Sequence, residues 1–272
     1  MENKIAEKPN DIQPVKKEYP NLGQAFGLIG ILILIMFSVF IILGLLSSLI
    51  NYQNKQVING ISYVLSMLAI LGIGIGFRRS FKFQLKKVQV PILLLTIPMI
   101  ICLDIIVEPI INIIPMSDFF RNMFNDYITN DLNTFLMIGI AAPLLEELVF
   151  RGIILNGFLK QYSPWKSILW SAAIFGIAHL NPWQFIAAFS IGIVIGWLYW
   201  KTNSLLPGIL VHFTSNTSSF IMLWFTSDNF VTIQQLMGGG KSYYLLYGMC
   251  IPIFLGTLFL ISQRIKMKES AL

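Results

Sequence analysis

Glu146 and Glu147 stand side by side within Pro143-Leu-Leu-Glu-Glu-Leu-Val-Phe-Arg-Gly152, an otherwise hydrophobic run. The chain's two histidines, His179 and His212, also fall in apolar segments. Each has a companion one helical turn away, Phe175 before the first and Asn216 after the second. Ionisable groups at membrane depth are costly and mark function by default. Two carboxylates, two imidazoles and an arginine in such surroundings describe an active site inside a bilayer.

The spacing divides the labour. Glu147 and Arg151 are placed i, i+4 and share a helix face, so they can pair, whereas Glu146 points about 100° away. Arg151 then neutralises Glu147, which helps orient the site, and Glu146 stays free as the reactive carboxylate. Two bare carboxylates in lipid would be driven to protonate. The competing reading is a buried salt-bridge network that only fixes helix packing. His212 and Asn216 lie on one face by the same i, i+4 rule. His179 closes Ala172-Ala-Ile-Phe-Gly-Ile-Ala-His179, whose small residues let another helix approach closely. A single intramembrane histidine can do no more than bond a backbone carbonyl. Both histidines accompanied by Glu146, Glu147, Arg151 and Asn216 argue for a site.

These residues must be carried by membrane helices. Hydrophobic residues make up 56% of the 272 positions and charged ones 12%, about half the charge of an ordinary soluble domain. The apolar runs are long enough to cross a hydrocarbon core roughly 30 Å thick. Backbone groups in lipid must be satisfied internally, and no period-two barrel pattern is present, so the spans are helices. The expected fold is all-α and polytopic, with about eight spans: Ala25–Ile50, Gly60–Phe77, Val90–Ile114, Leu132–Phe158, Trp165–Leu180, Trp183–Trp200, Leu205–Phe225 and Tyr243–Ile261.

Four stretches follow. Residues 1–24, polar and proline-punctuated, read as a disordered cytoplasmic tail without a cleavable signal. Residues 25–131 hold the first helices and loops, and 132–226 form the core with the motifs. Residues 227–272 hold an outer loop, a last helix and a basic tail. Lys and Arg sit mostly in loops that fall on one side when both termini are cytoplasmic, including Arg78, Arg79, Lys82, Lys86 and Lys87. On that orientation the net charge of +6 is a topology signal with some contact to anionic lipid, and no nucleic-acid partner is implied. Pro115–Asp131 reads as an outer interfacial segment. Asp104 and Glu108 share a face of the third span and either line the cavity or sit near the outer interface. Cys102 and Cys250, without a paired spacing, read as small apolar residues. Gly192-x-x-x-Gly196 reads as a close-packing motif.

The pattern Glu146-Glu147-x-x-x-Arg151, then Phe175-x-x-x-His179, then His212-x-x-x-Asn216 resembles that of the CPBP intramembrane proteases. These include the type II CAAX prenyl endopeptidases and bacterial Abi-like relatives linked to bacteriocin processing and self-immunity. The resemblance covers roughly Leu132–Phe225, and Pro143 and Phe150-Arg-Gly152 also fit. It implies an intramembrane endopeptidase with Glu146, His179, His212 and Asn216 as catalytic residues and Glu147, Arg151 and Phe175 in support. Two schemes stay open. Glu146 acts as general base on a water held by His179 while His212 and Asn216 donate to the oxyanion. Alternatively, Glu146, His179 and His212 hold a zinc ion that activates the water. His-Glu-x-x-His and His-x-x-Glu-His signatures are absent, and Asn216 suits the first scheme better. The implied partners are a peptide or membrane-protein substrate and the lipid bilayer of a bacterial cell. The rival readings are a transporter or proton relay, for which an inverted repeat is missing, and a non-proteolytic membrane adaptor or immunity protein.

Overall fold

The computed structural model describes residues 18–226 and 231–270. Of the expected tail, residues 1–17 lie outside the described residues. Residues 18–21 dock on the turn at 160–162, where Gln161 Nε2 donates to Pro20 O at 2.8 Å. Helices α1 (Leu22–Leu49), α2 (Lys55–Arg78) and α3 (Val90–Asn112) follow, then the short amphipathic α4 (Asp118–Tyr127). A continuous helical rod over residues 132–159 comes next. It is assembled from α5 (Leu132–Phe135), a π segment (Leu136–Ala141), α6 (Ala142–Val149), a second π segment (Phe150–Leu155) and α7 (Asn156–Leu159). The chain continues through α8 (Pro164–Ala178), α9 (Pro182–Thr202), α10 (Leu206–Thr226), α11 (Ile233–Leu236) and α12 (Lys241–Ser270). The protein is all-α and polytopic, and every expected span falls on a helix or on this rod.

Among the described residues, five helices are long and apolar enough to cross a membrane: α1, α2, α3, α9 and Lys241–Met267 of α12. The three expected spans that fall short carry the motifs. The rod is broken into short α and π pieces, α8 has 15 residues, and α10 holds His212, Ser215, Asn216, Ser218 and Ser219 among its apolar residues. Chemistry has displaced hydropathy in these three.

Packing forms two main cores. One joins α1, α2, the rod and α8 through residues such as Leu28, Met67, Val149, Ile153 and Phe175. The other joins α3, α9, α10 and α12 through Met99, Ile195, Leu198, Val211 and Ile261. Small residues close the gap between α8 and α9. A Cβ added to Gly192 would lie 3.0 Å from Ala172 Cβ, and one added to Gly196 would lie 3.1 Å from Ile168 Cγ2. Cys102 and Cys250, remote in sequence, share a small cluster where α3 meets α12.

The rod is unusual because its carbonyls are shifted by the π turns. Pro143 has no N–H to offer the preceding turn, and the Ala142 N–H reaches back five residues to Met137 O. Carbonyls along the rod are then met by side chains of other helices. Asn216 Nδ2 of α10 donates to Ile138 O at 2.8 Å, and Arg78 Nη1 of α2 donates to Gly152 O at 2.8 Å. Ser171 Oγ of α8 lies 3.4 Å from Phe150 O. Off-ladder carbonyls at membrane depth need such partners, since an unsatisfied one costs several kcal/mol. Each π turn therefore fastens a neighbouring helix.

Candidate active site

Glu146 and Glu147 sit in α6, the single α-helical stretch between the two π segments. Insertions of this kind often occur at functional sites, where they re-aim side chains. Glu147 is fully buried and its Oε1 accepts from Arg151 Nη1 at 2.8 Å. Arg151 is itself buried, its guanidinium lying 4.5 Å from the centroid of the Phe175 ring. A charge so placed is stable only when paired, and this one has both an ion pair and an aromatic face. Helix α10 comes close at this point because residue 208 is glycine. A Cβ there would lie 3.0 Å from Glu147 Oε2 and 2.6 Å from Ile195 Cγ2.

His212 joins the two glutamates. Its Nδ1 lies 3.1 Å from Glu147 Oε1, and its Nε2 lies 3.8 Å from Glu146 Oε2. A carboxylate can only accept, so Nδ1 carries the proton toward Glu147 and Nε2 faces Glu146. Glu146 Oε2 is buried without a hydrogen-bond partner. Its other oxygen, Oε1, accepts from Tyr63 Oη at 2.5 Å.

His179 caps the C-terminus of α8, just before Leu180, whose φ of 58° turns the chain into α9. Its Nδ1 lies 2.9 Å from Phe175 O, which leaves Nε2 as its free edge. The Phe175 ring is the common floor: His179 and His212 meet it edge-on at centroid distances of 5.1 and 5.6 Å. The structure thus brings Glu146, Glu147, Arg151, Phe175, His179 and His212 together. Asn216 lies one turn beyond His212 with its amide nitrogen on Ile138 O, so one of its two N–H groups is already used.

Asp104 and Glu108, expected on one face of the third span, have different surroundings. Asp104 lies beside Ser215 and within electrostatic reach of His212, with Oδ2 buried and unpartnered. Glu108 Oε1 instead accepts from Ile233 N at 2.7 Å and anchors the start of α11. An open apolar groove of about 210 Å³, walled by Pro143, Leu144, Leu210 and Phe213, runs between the rod and α10.

Among the described residues no three His, Cys, Asp or Glu side chains are grouped so as to hold a metal ion. His212 Nδ1 is engaged by Glu147 and His179 Nδ1 by a backbone carbonyl. Both histidines keep Nε2 as the open ring nitrogen, and an Nδ1 so held is compatible with either scheme.

Tyr63 was missed at the level of sequence, where the second span was read only as hydrophobic. A signal was present: Asn59, Ser62, Tyr63 and Ser66 recur at helical spacing along one face of α2.

Comparison with known proteins places the motif region in a family context. Residues 128–218 match the family model described as type II CAAX prenyl endopeptidase Rce1-like. A Bacillus subtilis protein named "Putative membrane peptidase YdiL" is 30% identical over 106 residues, 38% of this chain and 43% of that protein. An Escherichia coli protein named only as an uncharacterized 24.3 kDa protein is 32% identical over 110 residues, 38% of this chain and 51% of its own length. The Lactococcus lactis UPF0177 protein YxdF is 28% identical over 81 residues, 29% of this chain and 44% of its own length. The chain spans about half the length of the curated relatives it matches. No solved structure matches the chain. Residues 128–218, which hold every motif residue from Glu146 to Asn216, thus match the Rce1-like type II CAAX prenyl endopeptidase family, and the resemblance drawn from the motifs holds there.

Proposed function

We propose that the chain is an intramembrane endopeptidase that hydrolyses a peptide bond with a water activated by Glu146. One observation carries the reading: Glu146 Oε2 is buried, unpartnered and 3.8 Å from His212 Nε2, whereas the adjacent Glu147 is consumed by Arg151. A free carboxylate in a water-poor site is a base with something left to accept.

In this mechanism Glu146 takes a proton from the water, and the water oxygen bonds to the substrate carbonyl carbon. The proton rests on Glu146 or passes to His212 Nε2, forming an imidazolium whose N–H donates to the oxyanion. It then moves to the leaving nitrogen as the C–N bond breaks. His179 holds the water through Nε2, and the second amide N–H of Asn216 supplies a further donor to the oxyanion. Glu147, Arg151 and Phe175 hold His212 in place. The apolar groove beside Leu144 and Phe213 suits a hydrophobic stretch of a peptide or membrane protein. The setting is a bacterial cell membrane with both termini cytoplasmic, in keeping with the bacterial relatives.

The test is purified full-length protein in detergent, presented with quenched peptides, both farnesylated and unmodified. Wild type should cleave, and Glu146→Gln, which keeps shape but cannot take a proton, should abolish cleavage with normal expression and folding. Chelation followed by dialysis should leave activity intact, and His179→Ala and His212→Ala should not alter metal content. Wild-type rates in Glu146→Gln would overturn the role of Glu146. A stoichiometric zinc lost from either histidine variant would overturn the metal-free scheme.

A further inference from the structure

We propose that Tyr63 of α2 is the positioning residue for Glu146: its phenol holds one carboxylate oxygen and thereby aims the other at His212. The proposal rests on the reading of Glu146 as the acting carboxylate, and it adds to the site a helix outside the matched residues 128–218.

The geometry is direct. Tyr63 Oη donates to Glu146 Oε1 at 2.5 Å, across the contact between α2 and α6. With Oε1 held, rotation of the carboxylate is stopped, and Oε2 remains buried, unpartnered and 3.8 Å from His212 Nε2. The rest of the polar stripe on α2 is turned inward. Ser62 Oγ bonds Ile58 O at 2.8 Å and Ser66 Oγ bonds Ser62 O at 2.7 Å, both on their own helix. Tyr63 reaches across the gap.

The choice of partner matters as much as its position. Glu147 is held by a cation and Glu146 by a neutral donor. An arginine or lysine on Glu146 would fix the carboxylate but also tie up its charge and weaken it as a base. A phenol fixes orientation with one hydrogen bond and leaves the negative charge in place. The titratable and charged groups about Glu146 are Tyr63 on α2 with Tyr127 of α4 beyond it, and His212 on α10 with Asp104 of α3 beyond it. Glu147 and Arg151 lie on its own helix, and His179 of α8 lies across the Phe175 ring from His212.

The decisive variant is Tyr63→Phe, which keeps the ring that packs against the α1–α2 core and removes only the hydroxyl. With the quenched peptides above, kcat should fall on the order of tenfold or more with KM nearly unchanged. Glu146→Gln combined with Tyr63→Phe should be no slower than Glu146→Gln alone. A second readout needs no substrate: the infrared carboxylate band that disappears in Glu146→Gln should shift in frequency in Tyr63→Phe, because one of its oxygens loses a hydrogen bond. Full kcat, or an unshifted band, would overturn the proposal. A wild type that cleaves no peptide would defeat the endopeptidase reading instead, and the infrared band would still decide whether Tyr63 holds Glu146.

Discussion

At the scale of single residues, two neighbouring glutamates have opposite fates because their surroundings differ. Glu147 and Arg151 are each almost wholly buried and hold each other at 2.8 Å, so removing either leaves the other as an uncompensated charge. Arg151→Ala and Glu147→Gln should each cost roughly 3–5 kcal/mol of stability, seen as early unfolding in detergent melts. Glu146→Gln should melt near wild type, since its partner Tyr63 is neutral. Equal melting of all three variants would contradict this division. The charged members of the site were legible in the sequence because carboxylates, imidazoles and guanidinium stand out in an apolar chain. Tyr63 was not, because a tyrosine in a membrane span is chemically unremarkable until its hydroxyl is seen against Glu146. Asp104 shows the same limit: its spacing from Glu108 on one face is plain, but only packing shows that one turns to Ser215 and the other to α11.

At the scale of elements, the rod over residues 132–159 organises the site, and its start is set by Asp131. This residue caps α5, accepting from Asn133 N at 2.8 Å and Thr134 N at 3.1 Å. Partial burial pushes its carboxyl up, but bonds from Thr129, Thr134 and Asn133 outweigh that and hold it below the ordinary carboxylate value. A carboxyl depressed in the fold adds stability above its unfolded value and loses it as pH falls through the folded one. Melting temperature should therefore drop below about pH 4, and Asp131→Asn should remove that acid-dependent part while keeping the cap. Asp131→Ala should cost about 0.5–2 kcal/mol. An acid dependence unchanged in Asp131→Asn would refute the assignment. Among the described residues, the existence of the long helices was readable from hydropathy. The π turns were not, because they are set by which outside side chains reach the carbonyls, and those come from α2, α8 and α10.

For the whole molecule, the expected orientation rests on the loops. The basic loop over residues 79–89 is pinned at both ends. Arg78 reaches Gly152 O, Leu205 N donates to Gln84 O at 2.8 Å, and Ser204 Oγ donates to Lys86 O at 2.7 Å. At the other end, Phe120 of α4 packs edge-on against Trp183 with 5.3 Å between ring centroids. If charge fixes topology in the usual way, the loop over residues 79–89 is cytoplasmic and α4 is outside. Single cysteines at Arg79 and Asn122, in a background without Cys102 and Cys250, should be distinguished by an impermeant thiol reagent on intact cells. Labelling should occur at 122 and not at 79, and the reverse would invert the protein in its membrane. The architecture as a set of helices followed from composition. The convergence of the rod, α8 and α10 on one ring, Phe175, depended on packing that no single span encodes.

The two π turns also bear on which length changes the chain can survive. Each is a helix holding one residue more than its ladder needs, so deleting one residue between 136 and 141 would let the rod relax into an ordinary helix. The repaired helix would be locally the better one. It would also return the Ile138 carbonyl to the rod's own ladder and take it from Asn216, loosening the tie to α10. The rod's grip on its neighbour is held by an irregularity that a simpler sequence would erase.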